Sequence, residues 1–295
     1  MTDTHEFTEQ DGAWTGAYRA PVNASADAAG SIHDDSTAQR LGFRGGTVAG
    51  SIHMDQFPPI LMHAFGTRWF ETGGLSTYFL LATTHGEPVR PFVESRVDAS
   101  PAEDDDAQVA VWMEGEDGRR ILEGTASIGS PSEPSELRRR LGRLREPGEL
   151  RILEHVRVGT EADARAARID DGPDLDAAQA RRTEPLSWYR ETSPWGGAIL
   201  SPMQCVHVMR GPEVGFDLRR HEAVGLFGAI EVQHLAGPVH AGRDYLTRGK
   251  LLAVGDTPKT EYLWYESTLS EKTGRDVASM VMMLRFMKGS SQLWS

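Results

Sequence analysis

The chain has 295 residues, enough for one large domain or two ordinary ones. Its net charge of −12 excludes broad nucleic-acid binding, which needs a basic face, while 39% hydrophobic and 25% charged content is ordinary for a globular protein. A single cysteine, Cys205, excludes an internal disulfide and fits a reducing, cytoplasmic setting, and no run of about 18 apolar residues predicts a membrane span.

Met1 to Arg19 is polar and acidic, so no signal peptide is expected, and residues 1–10 are expected to be disordered. Ser31-Ile32-His33-Asp34-Asp35 then places a potential acid/base residue just before a small-residue turn, with Asp34 and Asp35 preceding Ser36-Thr37-Ala38. Aspartate is a favoured N-cap because its side chain accepts orphan backbone N–H bonds. Asp35 is the expected cap, with Asp34 exposed as a reserve acid. Gly45-Gly46-Thr47-Val48-Ala49-Gly50 turns into an apolar run, Ile52 to Phe65. Ile52, Met54, Phe57, Ile60, Leu61 and Phe65 predict a core helix, kinked at Pro58-Pro59. Such a helix is apolar on most sides and must be wrapped, and a curved antiparallel sheet is the natural wrapping. A strand is predicted over Leu75 to Ala82. A hairpin follows, Ala107 to Glu114 and Arg120 to Ile128 around the turn Gly115-Glu116-Asp117-Gly118.

Ser130 to Pro134 reads as a linker, Ser135 to Arg145 as a short Arg-rich surface helix, and Ala164 to Ile169 as a strand. The pattern then repeats about half a chain later. Gly196-Gly197-Ala198-Ile199-Leu200-Ser201 echoes the first glycine turn, Met203 to Met209 the apolar run, and Ile230 to Ala236 the strand. Thr260 to Leu269 and Asp276 to Met287 echo the hairpin. Counting back from the second Gly-Gly puts Glu184, not a histidine, opposite His33. Two copies of one α+β unit account for this.

These residues resemble the hot-dog fold, in which a long curved sheet wraps a central helix, and its MaoC-like branch, the R-specific enoyl-CoA hydratases and related dehydratases. That branch carries Asp-x-Asn-Pro-[Ile/Leu/Val]-His-x-Asp, a short helix, and Gly-Gly-x-[Ile/Val]-x-Gly leading into the central helix. Gly30 to Asp35 matches the right half of the segment, Ala38 to Phe43 looks like the short helix, and Gly45 to Gly50 matches the turn. The resemblance covers about residues 20–128 well, and residues 184–287 look like a degenerate second copy. It implies an α+β double hot-dog: residues 11–130 as a hot-dog with the active site, 131–150 as linker and surface helix, and 151–295 as the degenerate copy. There are departures. Ala28 stands where the family has a catalytic aspartate, with Asp27 one residue further back. Gly30-Ser31 replaces Asn-Pro, and Ala49 replaces a histidine that often precedes the last glycine.

The resemblance implies a hydro-lyase for 2-enoyl/3-hydroxyacyl thioesters of coenzyme A or a carrier protein. No cofactor, nucleic acid or membrane partner is expected, and the chain would be a monomer or homodimer. His33 would be the general base, since imidazole ionises near neutral pH; its alternative is a loop histidine bonding the backbone. Asp27 or Asp34 would be the acid, the alternative being solvated loop residues. Gly50 and Ser51 would offer backbone N–H groups to the thioester carbonyl. His53, Trp69 and Tyr78, with Phe70 and Phe79, are candidates for the substrate pocket, with core packing the first reading for each. The other histidines show no metal spacing, and Cys205 reads as inert core. No dinucleotide, Walker-type or serine-hydrolase motif occurs. A cyclase or isomerase, a thioesterase, and an acyl-binding protein without activity remain the alternatives.

Overall fold

The computed structural model describes residues 5–95, 106–170, 172–179 and 181–295. In the first half, β1 (Thr8–Gln10) and β2 (Ala13–Thr15) precede α1 (Asp35–Arg40), α2 (Gly50–Met54), α3 (Pro58–Phe65) and α4 (Trp69–Thr72). Strands β3 (Gly74–Phe79), β4 (Val89–Glu94), β5 (Ala107–Gly115) and β6 (Arg120–Ile128) follow. Then α5 (Glu136–Leu141), β7 (Glu161–Ala167) and α6 (Pro173–Gln179) lead to α7 (Pro202–Met209). The chain closes with β8 (Gly225–His234), β9 (Tyr245–Asp256), β10 (Thr260–Glu271) and β11 (Asp276–Met287).

The described strands form one sheet in the order β1-β2-β4-β5-β6-β3-β8-β11-β10-β9-β7. Read outward from its middle, β3-β6-β5-β4 mirrors β8-β11-β10-β9, so two copies of one unit meet edge to edge. The seam is antiparallel, from Gly74 opposite Gln233 to Tyr78 opposite Ala229, and the Thr77 hydroxyl donates across it to the Ile230 carbonyl at 2.9 Å. This is the expected double hot-dog. The edge-to-edge meeting leaves neither β3 nor β8 as an open strand edge.

Each half wraps its own helix. Met54, Phe57, Ile60, Leu61 and Phe65 are all under 9% exposed and pack in one core with Leu75, Val93, Val111 and Leu122 from the strands. Strand β5 shows the period behind this: Ala107, Val109, Val111 and Met113 are buried while Ala110 faces solvent. The kink at Pro58-Pro59 is a full break. Proline has no N–H to continue the ladder, and Pro58 instead starts α3. The Arg-rich segment is a short helix, and it also has a packing role. Its Leu137 is fully buried against Ala229, Trp264 and Val281, so α5 covers the outer face of the seam. Of the residues expected to be disordered, 1–4 lie outside the described residues, and Thr8–Gln10 pairs with β2 at the sheet edge.

The two helices meet head to tail. Asp55, at the C-terminal end of α2, accepts from the Met203 backbone N–H at 2.7 Å and the Ser201 hydroxyl at 2.8 Å, so a carboxylate of the first half caps α7 of the second. Arg182 donates to the same carboxylate at 3.2 Å, and both side chains are 2% exposed or less. Burial pushes the Asp55 carboxyl upward, and Arg182, the Met203 N–H and the Ser201 hydroxyl oppose that push. Removing one partner of such a pair strands the other in the core. Asp55→Ala is therefore expected to lose about 3–5 kcal/mol of unfolding free energy in urea titration. A loss like that of an exposed pair, about 1 kcal/mol or less, would deny the pair this role.

Candidate active site

His33 sits between α1 and the glycine turn, and each neighbour helps hold it. Asp34, not Asp35, caps α1: its carboxylate accepts from the Ser36 and Thr37 N–H groups at 3.3 and 3.2 Å and from the Thr37 hydroxyl at 2.6 Å. Asp35 lies in the first helical turn and accepts from the Gly46 N–H at 2.6 Å, tying the helix to the turn. The His33 carbonyl accepts from the Asn23 amide at 2.8 Å, and the Ile32 carbonyl accepts from the Thr47 N–H at 3.0 Å. Gly46 passes so close that a Cβ there would lie 2.1 Å from the His33 carbonyl oxygen, so only glycine fits.

The imidazole bonds through Nδ1 to the Thr47 carbonyl at 2.7 Å. A carbonyl only accepts, so Nδ1 carries the proton and neutral His33 keeps its lone pair on Nε2. His33 lines a groove of about 1700 Å³ with Ala49, Gly50, His53, Phe79 and Thr83. Helix α2 opens on this groove at Gly50, with no side chain capping it. Ser51 is buried one residue further in. The N-terminus of α7, by contrast, is closed by Asp55 and by a Ser201–Gln204 capping box. Glu184, opposite His33 in the repeat, is bound by Arg19 at 2.8 Å and His5 at 2.8 Å. Burial opposes ionisation of Glu184, yet the bonds from His5 and Arg19 hold its carboxyl below the usual value. The first half thus presents a base beside an open helix end, and in the second half the matching positions are filled.

Other candidates lie elsewhere. Asp27 is exposed in a turn outside the groove lining. Asp34 is committed to its cap, and bonds led by the Thr37 hydroxyl lower its pKa to about 2, which does not suit a proton donor. Trp69 is 1% exposed and stands edge-on to Phe70 and His234 in the core. Tyr78 points to the outer face, where its hydroxyl accepts from Arg285 at 2.6 Å and Arg140 stacks on its ring at 3.7 Å. The two-residue period of β3 decides this: Tyr78 and Ser76 face α5, and Phe79 faces inward. Of Trp69, Phe70, Tyr78 and Phe79, only Phe79 lines the groove.

His53 lines the groove but is 2% exposed, with Nε2 bonded to the Thr83 hydroxyl at 2.8 Å. Burial lowers its pKa to about 4, so it is neutral at neutral pH. Thr83 gives no local sequence signal. Nor do the second-half residues Arg210, Arg219 and Lys259, which the fold brings to the same groove. With Arg40 they make four cations against two carboxylates, Glu213 and Glu222, a positive strip on an acidic protein. Among the described residues no cluster could hold a metal ion, and no helix is long and apolar enough to cross a membrane.

Two outcomes follow from this geometry. Gly46→Ala is expected to lower the thermal midpoint by forcing His33 off the Thr47 carbonyl, a cost of roughly 1–3 kcal/mol; an unchanged midpoint would contradict the packing. His53 and His234 are both held near pKa 4 by burial. The unfolded chain binds these protons first as pH falls. Stability is therefore full above the ordinary histidine range and declines toward pH 4, by up to about 1.4 kcal/mol per pH unit for each histidine. Urea titrations from pH 7 to pH 4 should show this slope, reduced in His53→Gln and His234→Gln.

No family model and no curated protein matches the chain. Solved structures do. A putative MaoC domain protein dehydratase from Chloroflexus aurantiacus J-10-fl superposes with a TM-score of 0.56 at 11% identity, covering 97% of this chain and 95% of its own. A conserved hypothetical protein of Mycobacterium tuberculosis, RV0216, described as having a double hot-dog fold, gives 0.56 at 13% identity, covering 97% and 96%. A MaoC-like dehydratase gives 0.53 at 15% identity, covering 95% and 97%. The likeness runs over nearly all of the chain, and the fold it establishes is the double hot-dog.

Proposed function

We propose that the chain is a hydro-lyase that adds or removes water across the 2-enoyl/3-hydroxyacyl unit of a thioester carried by coenzyme A or a carrier protein. One observation carries this reading. His33, with Nε2 left basic by the Nδ1 bond to Thr47, shares a groove with the uncapped start of α2. The Gly50 and Ser51 N–H groups would receive the thioester carbonyl and stabilise the negative charge that develops on its oxygen. Nε2 would take the proton from the carbon beside that carbonyl. As the resulting enolate collapses, the bond to the β-hydroxyl breaks and the imidazolium returns its proton to the departing oxygen, releasing water. Hydration is the reverse. One imidazole serves as base and then acid because Asp27 stands outside the groove and Asp34 is bound in its cap. The positive strip suits the phosphates of such carriers.

The place of Asp27 also favours a second reading, an isomerase that moves a proton without losing water. Assays with crotonyl-CoA and a longer 2-enoyl-CoA separate the two. Hydration should proceed with Asp27→Asn and fall about 100-fold or more in His33→Ala. Unchanged turnover in His33→Ala removes the base from the mechanism. Movement of the double bond without water supports the isomerase, released free thiol indicates hydrolysis, and tight binding without turnover indicates an acyl-binding protein.

A further inference from the structure

We infer that Phe79 sets which acyl groups reach the start of α2: its ring forms the wall that admits a straight chain and excludes a branch beside the thioester carbonyl. This rests on the thioester reading above. Phe79 is the last residue of β3, half-buried and lining the groove. A Cβ built on Gly50 would lie 2.4, 2.6 and 2.8 Å from three of its ring carbons. The ring therefore lies against the first residue of α2, and glycine at 50 is what leaves it room. The backbone around the ring is anchored on both sides. Tyr78 is in register with Ala229 across the seam, and the Thr83 carbonyl accepts from the Val48 N–H at 2.9 Å. Rotation of the side chain is then the ring's main freedom. Beyond it Leu80 and Leu81 are 42% and 41% exposed at the groove. An acyl carbonyl bonded to the α2 amides brings its α-carbon over Gly50, against this ring. A methyl branch there competes with ring carbons for the same space.

The test measures binding without chemistry. Butyryl-CoA and 2-methylbutyryl-CoA are saturated, so neither can be hydrated, and both are titrated calorimetrically into the full chain. The wild type should favour butyryl-CoA by roughly tenfold or more, the usual worth of one misplaced methyl group. Phe79→Ala should bring the ratio near one by gaining affinity for the branched ligand, and Phe79→Leu should fall between. His33→Ala should keep the wild-type ratio, because the wall takes no part in proton transfer. Near-ultraviolet circular dichroism checks that each variant is folded, and Phe79→Leu carries the test if Phe79→Ala is not. An unchanged ratio in both Phe79 variants, with butyryl-CoA still bound, overturns the inference and leaves the thioester reading standing. No binding of either ligand to the wild type overturns both.

Discussion

The carboxylate of Asp55 joins the two halves of this protein and makes them different. It ends α2 and caps α7, so the last turn of one central helix satisfies the first turn of the other. Arg182, itself fully buried, compensates its charge. A helix start buried in a core needs such a partner, because its N–H groups have no water to turn to. The sheet seam between β3 and β8 brings the helices side by side, and Asp55 fixes how their ends meet.

The same contact leaves only one half with an open helix end. Both copies keep the glycine turn and the helix behind it, so both have a helix end of the kind that can bind an anion. In the second copy that end holds Asp55 and a capping box, and the position matching His33 holds a glutamate locked between Arg19 and His5. In the first copy the helix end is bare and opens on the groove. The second half instead supplies a groove wall, including Phe227 and Lys259. Duplication thus leaves one copy with the open end and the other building the surface around it.

His33 shows how closely local packing selects a tautomer. His33 is held by the Thr47 carbonyl, by Asn23 on its own carbonyl, and by a glycine at 46 that no larger residue can replace. Only the first of these touches the ring, and it selects the tautomer. The others fix the backbone from which the ring projects. His53, inside α2, is the contrasting case: burial keeps it neutral and unsuited to proton transfer near neutral pH.

The sequence by itself determined the repeat, the two central helices, the hairpins β5–β6 and β10–β11, and the place of His33 before its glycine turn. These are local: period-two alternation, turn residues and apolar runs write them directly into the chain. It could not show β9, whose inward positions include the polar Thr247 and Gly249 while the apolar Leu246 faces outward, so the alternation is blurred. It could not tell Phe79 from Tyr78, because the facing of a strand depends on its register with β6 and β8. Nor could it show that Asp27 stands outside the groove, that Asp34 takes the cap, or that Arg182 reaches Asp55 across most of half the chain. Those were decided by tertiary structure, because each depends on which groups compete for a buried polar partner after the two halves have met.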